Sequence, residues 1–152
     1  MSRKNLTGRG RLTAPSHDVT ADNGTVQISI VDGEQLHFEM TVNWMTNLQG
    51  ATITAKIVEA DNDGLGTKPS AILADGEITT LQIIDANEDD NVFVMVIPDD
   101  LVANYAVKPD VAKPVYGFIG LEIADNGEGG AQQKWKPLRG LVEILYSPSE
   151  AI

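Results

Sequence analysis

The chain has 152 residues, a hydrophobic fraction of 42% and a formal net charge of −11 at pH 7. This length favours one domain with a single core, and the hydrophobic fraction is too high for a disordered chain. The absence of cysteine excludes disulfide bonds, thiolate metal sites and cysteine nucleophiles. No apolar run approaches the ~18 residues of a membrane helix, and the acidic balance argues against binding of the domain itself to DNA or an anionic membrane.

The N-terminal segment carries a charge opposite to that of the rest of the chain. Residues 1–11 contain Arg3, Lys4, Arg9 and Arg11 and no acid, whereas the remainder has a net charge of −15. A short basic segment with few apolar side chains cannot pack a core of its own. We therefore predict an extended basic arm and lead-in over residues 1–24 that contacts a neighbouring protein subunit. A nucleic acid is a weaker candidate partner because no aromatic residues are interleaved with the lysine and arginine residues of this segment.

The next segments along the chain alternate between apolar and polar residues, which is typical of half-buried strands. The clearest case places Leu36, Phe38, Met40, Val42 and Trp44 on one face. In chain order, the predicted strands are residues 25–30, 36–44, 52–57, 77–84, 92–97, 115–124 and 138–146. The short polar connection at residues 45–50 predicts a hairpin between the second and third of these strands.

About seven strands joined mainly by short turns predict an all-β fold, specifically an antiparallel immunoglobulin-like β-sandwich. No stretch shows helical spacing, and no internal repeat or second domain is evident. We predict a domain over residues 25–147, preceded by the arm and followed by a short tail over residues 148–152.

Residues that could support catalysis are few. His17 and His37 are the only histidines, and the sequence contains neither a nucleophile elbow nor a zinc-protease motif. Residues 61–64 begin like a calcium-binding loop, but Leu65 and Ile72 occupy positions that need oxygen ligands. We therefore interpret this segment as a turn, and we predict no catalytic residue, no cofactor and no metal site.

The two tryptophans suggest different roles. Trp44 is in phase with the apolar face of its strand and is interpreted as a core residue. Trp135 lies between two lysines after a glycine-rich segment, so it is a candidate interface residue as well as a candidate for ordinary packing. Arg139 is a further candidate interface residue.

The segments 48–56, 97–101, 115–123 and 136–147 follow a recurring pattern of strand and turn. The pattern resembles the immunoglobulin-like modules of tailed-bacteriophage virion proteins, such as the N-terminal domains of baseplate upper proteins and fibre-anchoring domains. The resemblance implies a non-enzymatic structural protein located in the virion, and it carries over no catalytic residue. Because no stalk or receptor-binding region follows residue 152 in this sequence, it is also similar to capsid decoration proteins.

The first function that the resemblance implies is that of a decoration, or cement, protein that binds neighbouring capsid subunits. Such a protein is expected to be a homo-oligomer, for example a trimer. Its partners would be other virion structural proteins, either the major capsid protein or tail proteins. The alternative in the same class is a tail, baseplate or collar component that attaches fibres or spikes. The alternative from another class is a small carbohydrate-binding module, which would need an exposed aromatic residue such as Trp135.

Overall fold

A computed structural model of the chain describes residues 6–11, 19–21, 25–42, 44–86, 88–127 and 131–148. Within these residues the protein is all-β, with ten strands, numbered in chain order, in two five-stranded sheets. The first sheet has the spatial order β2 (Val19–Ala21), β1 (Leu6–Arg11), β4 (Leu36–Val42), β8 (Val92–Ile97) and β7 (Gln82–Ile84). The second sheet has the order β3 (Thr25–Val31), β10 (Lys134–Leu145), β9 (Val115–Ala124), β5 (Thr52–Glu59) and β6 (Ile78–Thr80).

The two sheets share one hydrophobic core. Phe38 and Met40 of β4, in the first sheet, belong to the same buried cluster as Ile57, Ile119 and Val142 of the second sheet. Alternate residues of β4, β5 and β9 point to this core, because successive side chains of a strand point to opposite faces. The predicted alternation along β4 is confirmed by its burial pattern.

The connection at residues 45–50 does not form the predicted hairpin. It leads from β4 in the first sheet to β5 in the second, so these two strands are not paired. Leu48 within the connection is buried in the core. The alternation pattern located both strands correctly, but it contains no information on which strands are neighbours in a sheet.

The predicted strand at residues 77–84 divides between the two sheets. Its first part, β6, pairs with β5, and its second part, β7, pairs with β8. Leu81, which lies between the two parts, is buried in the core. A further difference is that β3 pairs in parallel with β10, so the second sheet is mixed rather than wholly antiparallel.

Part of the predicted arm lies within the first sheet. Leu6–Arg11 forms β1, which pairs on one side with β2 and on the other side with β4. A strand of the first sheet therefore lies inside the segment predicted as an arm. The segment lacks an apolar alternation, and its pairing with β4 is a main-chain property that composition does not reveal. Arg3 and Lys4 lie outside the described residues, as does the predicted tail beyond residue 148.

Candidate protein-docking face

A row of long cationic side chains crosses the outer face of the second sheet. Register pairs Lys56 of β5 with Gly120 of β9, and Gly120 with Arg139 of β10. All three residues are exposed. An added Cβ at Gly120 would meet no atom within 4 Å, so the space between Lys56 and Arg139 is open.

An apolar row lies beside the cationic row on the same face. It crosses four strands in register through Ile78, Val58, Phe118 and Leu141. Ile78 is 57% exposed, and the other three side chains are partly exposed. Residues two apart on a strand share a face, so the two rows lie next to each other.

All residues of the two rows except Ile78 line a groove, which we call the basic groove. Its larger part has a volume of about 870 Å³ and also contacts Lys136 and Ile72, which is 55% exposed. Three bases and one acid, Glu122, line this part, although the whole chain has a net charge of −11. The basic groove is therefore a local reversal of the overall charge beside exposed apolar side chains.

Hydrogen bonds hold one end of this face in place. Glu143 accepts a hydrogen bond from the Ser29 hydroxyl at 2.9 Å and one from the Tyr116 hydroxyl at 3.2 Å. Burial and the neighbouring Glu143 carboxylate raise the pKa of Tyr116. Lys68 donates to Gln27 Oε1 at 2.9 Å, which ties the segment after β5 to β3. These bonds connect β3, β10 and β9 and hold Lys68, which lines the smaller part of the groove, against β3.

The segment at residues 61–64, considered above as a calcium loop, forms a turn. Asp63 Oδ1 accepts the hydrogen bond of the Leu65 amide at 2.7 Å, and this bond lowers the pKa of Asp63 below its usual 3.8. Gly64 has a φ of 75°, a conformation that favours glycine. Across the residues that the structure describes, no group of three or more histidine and carboxylate side chains could hold a metal ion.

The structure separates the predicted interface residues. Arg139 lies in the basic groove. Trp135 is on the inner face, where it is partly buried and packs edge-to-face on Trp44 with a ring-centroid distance of 5.8 Å. Arg9 and Arg11 belong to β1 in the first sheet, where they are opposite Glu39 and His37 in register. Arg3 and Lys4, together with His17, lie outside the described residues.

Sequence reasoning missed most of the basic groove. Lys56 occupies an outward position of a predicted alternating strand, so its orientation could have been predicted. Gly120 and Phe118 lie in a nearly continuous apolar run, which does not distinguish the two faces of its strand. The proximity of these three residues to Arg139 depends on the pairing of β5 with β9 and of β9 with β10. Lys136 is added by a change of register in β10 between Trp135 and Leu138, which the sequence does not indicate.

The chain is not assigned to a family by comparison with known proteins: no family model matches it, and no curated protein is recognisably similar. In the part of the chain that the structure describes, no helix has the length and apolar character needed to cross a membrane.

Proposed function

We propose that this protein is a non-enzymatic structural protein of a tailed-bacteriophage virion, and specifically a decoration protein that binds neighbouring capsid subunits. The observation that carries the proposal is the basic groove on a rigid β-sheet face. Arginine and aromatic side chains are enriched in protein interfaces, and Arg139 lies there beside Phe118 and exposed aliphatic residues. The strand and turn pattern that resembles virion modules provides the link to a particle.

We further propose that the fold is an immunoglobulin-like β-sandwich. In such folds one sheet has the strand order A-B-E-D and the other contains G, F and C, with an added strand in the variable type. The order β1-β4-β8-β7 in the first sheet and β10-β9-β5-β6 in the second supports this assignment. The structure has more strands than predicted because β1 and β2 are additional strands and the segment at residues 77–84 forms two strands instead of one.

A particle surface would compensate for weak individual contacts. Many copies of one site on a symmetric shell convert modest affinities into stable occupancy if the protein itself is oligomeric. The groove offers a contact on the second sheet through which copies of the protein associate, and the basic residues of the N-terminal segment offer a separate contact to the capsid. The inward packing of Trp135 on Trp44 gives no support to the carbohydrate-binding alternative, which depended on an exposed tryptophan.

The decisive experiment determines where the protein is located in purified particles and how many copies each particle contains. Particles from the strain that carries the coding sequence are purified on a density gradient. The protein is quantified with a specific antibody, and its amount is expressed relative to that of the major capsid protein. We expect on the order of hundreds of copies per head, as a symmetric shell would require. A small multiple of three or six at the tail would instead support the fibre-attaching alternative, and absence from particles would overturn both.

A role of the N-terminal bases as a tether needs a test that leaves the sheet intact. Deletion of residues 1–11 removes β1 and exposes the edge of β4, so lost particle binding would be ambiguous. Deletion of residues 1–5 removes Arg3 and Lys4 without shortening β1. If the tether contributes, this shorter deletion lowers particle occupancy and leaves the melting temperature unchanged; unchanged occupancy contradicts the role.

A further inference from the structure

We propose that the basic groove binds the acidic loop of a second copy of this chain. The acidic loop is the segment at residues 85–90, which connects β7 to β8 and contains Asp85, Glu88, Asp89 and Asp90. All four acids are exposed. This contact would operate between purified molecules, so it stands or falls independently of the proposed location in a virion.

Charge complementarity selects this occupant. The acidic loop has four carboxylates within six residues, and the larger part of the groove has three bases and one carboxylate. Complementary potentials favour the correct pairing and disfavour like-charged alternatives. The loop and the groove are therefore opposite in charge, and the loop is the densest run of carboxylates in the sequence.

The location of the two surfaces requires two molecules. The acidic loop follows β7 at the edge of the first sheet, whereas the basic groove is on the face of the second sheet that points away from the shared core. A loop cannot reach from one sheet across the core to the opposite outer face. Each copy thus presents one groove and one loop, which is a heterologous arrangement that closes into a ring or continues as a chain.

The dimensions of the groove suit a short acidic segment. Lys56 and Arg139 are on strands separated by β9, so their backbones are about 10 Å apart at the usual strand spacing. Consecutive Cα atoms are about 3.8 Å apart, so residues 88–90 fit between the two bases. The adjacent row of Phe118, Leu141 and Val58 excludes water from one side of the ion pairs, which strengthens them.

Salt has two opposing effects on this contact. Two copies with a net charge of −11 repel each other, and salt screens this long-range repulsion. At 0.15 M ionic strength the Debye length is about 8 Å, which weakens repulsion between whole molecules more than attraction between groups in contact. We therefore expect self-association to be strongest at intermediate salt and to decrease toward 1 M.

The test is sedimentation velocity of the purified full chain over a range of protein concentrations at low salt (about 0.01 M), at 0.15 M and at 1 M. We expect concentration-dependent association of the wild type, and at least tenfold weaker association for K56E/R139E in the groove and for E88K/D89K in the loop. An equimolar mixture of the two variants should associate again, because the two lysines introduced into the loop of one variant face the two glutamates introduced into the groove of the other, while the unchanged loop and groove pair as in the wild type.

Matched controls change the same charge elsewhere. K113E/K134E and D99K/D100K alter exposed residues outside the groove and the loop, and both should associate like the wild type. A monomeric wild type at every concentration, wild-type association of the groove variant, or failure of the mixture to associate would each overturn the proposal. Circular dichroism verifies folding, and K56Q/R139Q replaces K56E/R139E if the latter is unfolded.

Discussion

The side chain of Asn62 pairs with the main chain of Tyr116 in the manner of an additional residue of the sheet. Its Oδ1 accepts a hydrogen bond from the Tyr116 amide at 2.9 Å, and its Nδ2 donates to the Tyr116 carbonyl at 3.1 Å. Nδ2 also donates to the carbonyl of Ala60 at 3.1 Å. The segment that leaves β5 is thus attached to β9 at the end of the basic groove.

The first prediction is that Asn62→Ala destabilises the protein by about 1–3 kcal/mol, because the Tyr116 amide loses its acceptor in a partly buried position. Urea denaturation followed by circular dichroism measures the change in the free energy of unfolding. Asn104→Ala, at an exposed turn position, is the control and should change it by less than about 0.5 kcal/mol. Equal effects of the two substitutions would show that the Asn62 bonds contribute little.

The second prediction concerns Glu59, which is only 2% exposed. Its carboxylate accepts hydrogen bonds from the amides of Ala106 at 2.7 Å and Glu77 at 3.2 Å. Glu59→Gln replaces one oxygen by an NH₂ group that would face an amide donor. We expect a loss of about 1–3 kcal/mol in the free energy of unfolding by urea titration. Glu88→Gln, at an exposed position, is the control; a neutral result for Glu59→Gln would contradict the account.

Much of the fold was predictable because its main signal is local. Alternation along β4 and the apolar runs of β8 and β9 predicted those strands close to their observed bounds. Pairing is not local, and the errors concern pairing: the connection at residues 45–50 crosses between sheets, and β3 is parallel to β10. The strand β1 was missed because its sequence shows no apolar alternation and its position depends on the main chain of β4.

The candidate site shows the same division between local and non-local information. Arg139 was a predicted interface residue and lies in the basic groove, whereas Trp135, four positions earlier, is on the inner face against Trp44. An irregular register between Trp135 and Leu138 separates their surroundings. The groove itself could not be predicted, since it exists only where Lys56 and Phe118 meet β10 through the register of three strands.

The third prediction compares two glycines of β9. An added Cβ at Gly117 would lie 2.8 Å from Ile57 Cγ2 and 2.9 Å from the Tyr105 hydroxyl, whereas one at Gly120 would meet no atom within 4 Å. Gly117→Ala should therefore lower the free energy of unfolding by about 1–3 kcal/mol through overpacking.

Gly120→Ala is the matched control for Gly117→Ala because it makes the same change three residues further along the same strand. Glycine weakens a strand by its greater loss of conformational freedom, so Gly120→Ala should be neutral or stabilising by up to about 1 kcal/mol. Thermal unfolding of the two variants beside the wild type gives the comparison, and a similar loss at both positions would contradict the packing difference.

The last prediction concerns the pH dependence of stability through Tyr105. Its hydroxyl is buried without a hydrogen-bond partner among the described residues. Burial, with the carboxylates of Glu59 and Glu77, raises the pKa of Tyr105 above its usual 10.0. The folded protein therefore holds this proton more tightly than the unfolded chain does. The resulting stabilisation is complete below about pH 10 and decreases as the pH rises through the higher pKa of the folded state.

Tyr105→Phe removes both the unpaired hydroxyl and its titration. At pH 7 we expect the free energy of unfolding to be unchanged or higher by about 1 kcal/mol, because no hydrogen bond is lost and the cost of burying a polar group is relieved. Between about pH 10 and pH 11 the wild type should lose stability more steeply than the variant. Urea titrations at pH 7, 9, 10 and 11 measure both effects, and parallel pH curves for the two proteins would show that Tyr105 remains neutral in both states or ionises equally in both.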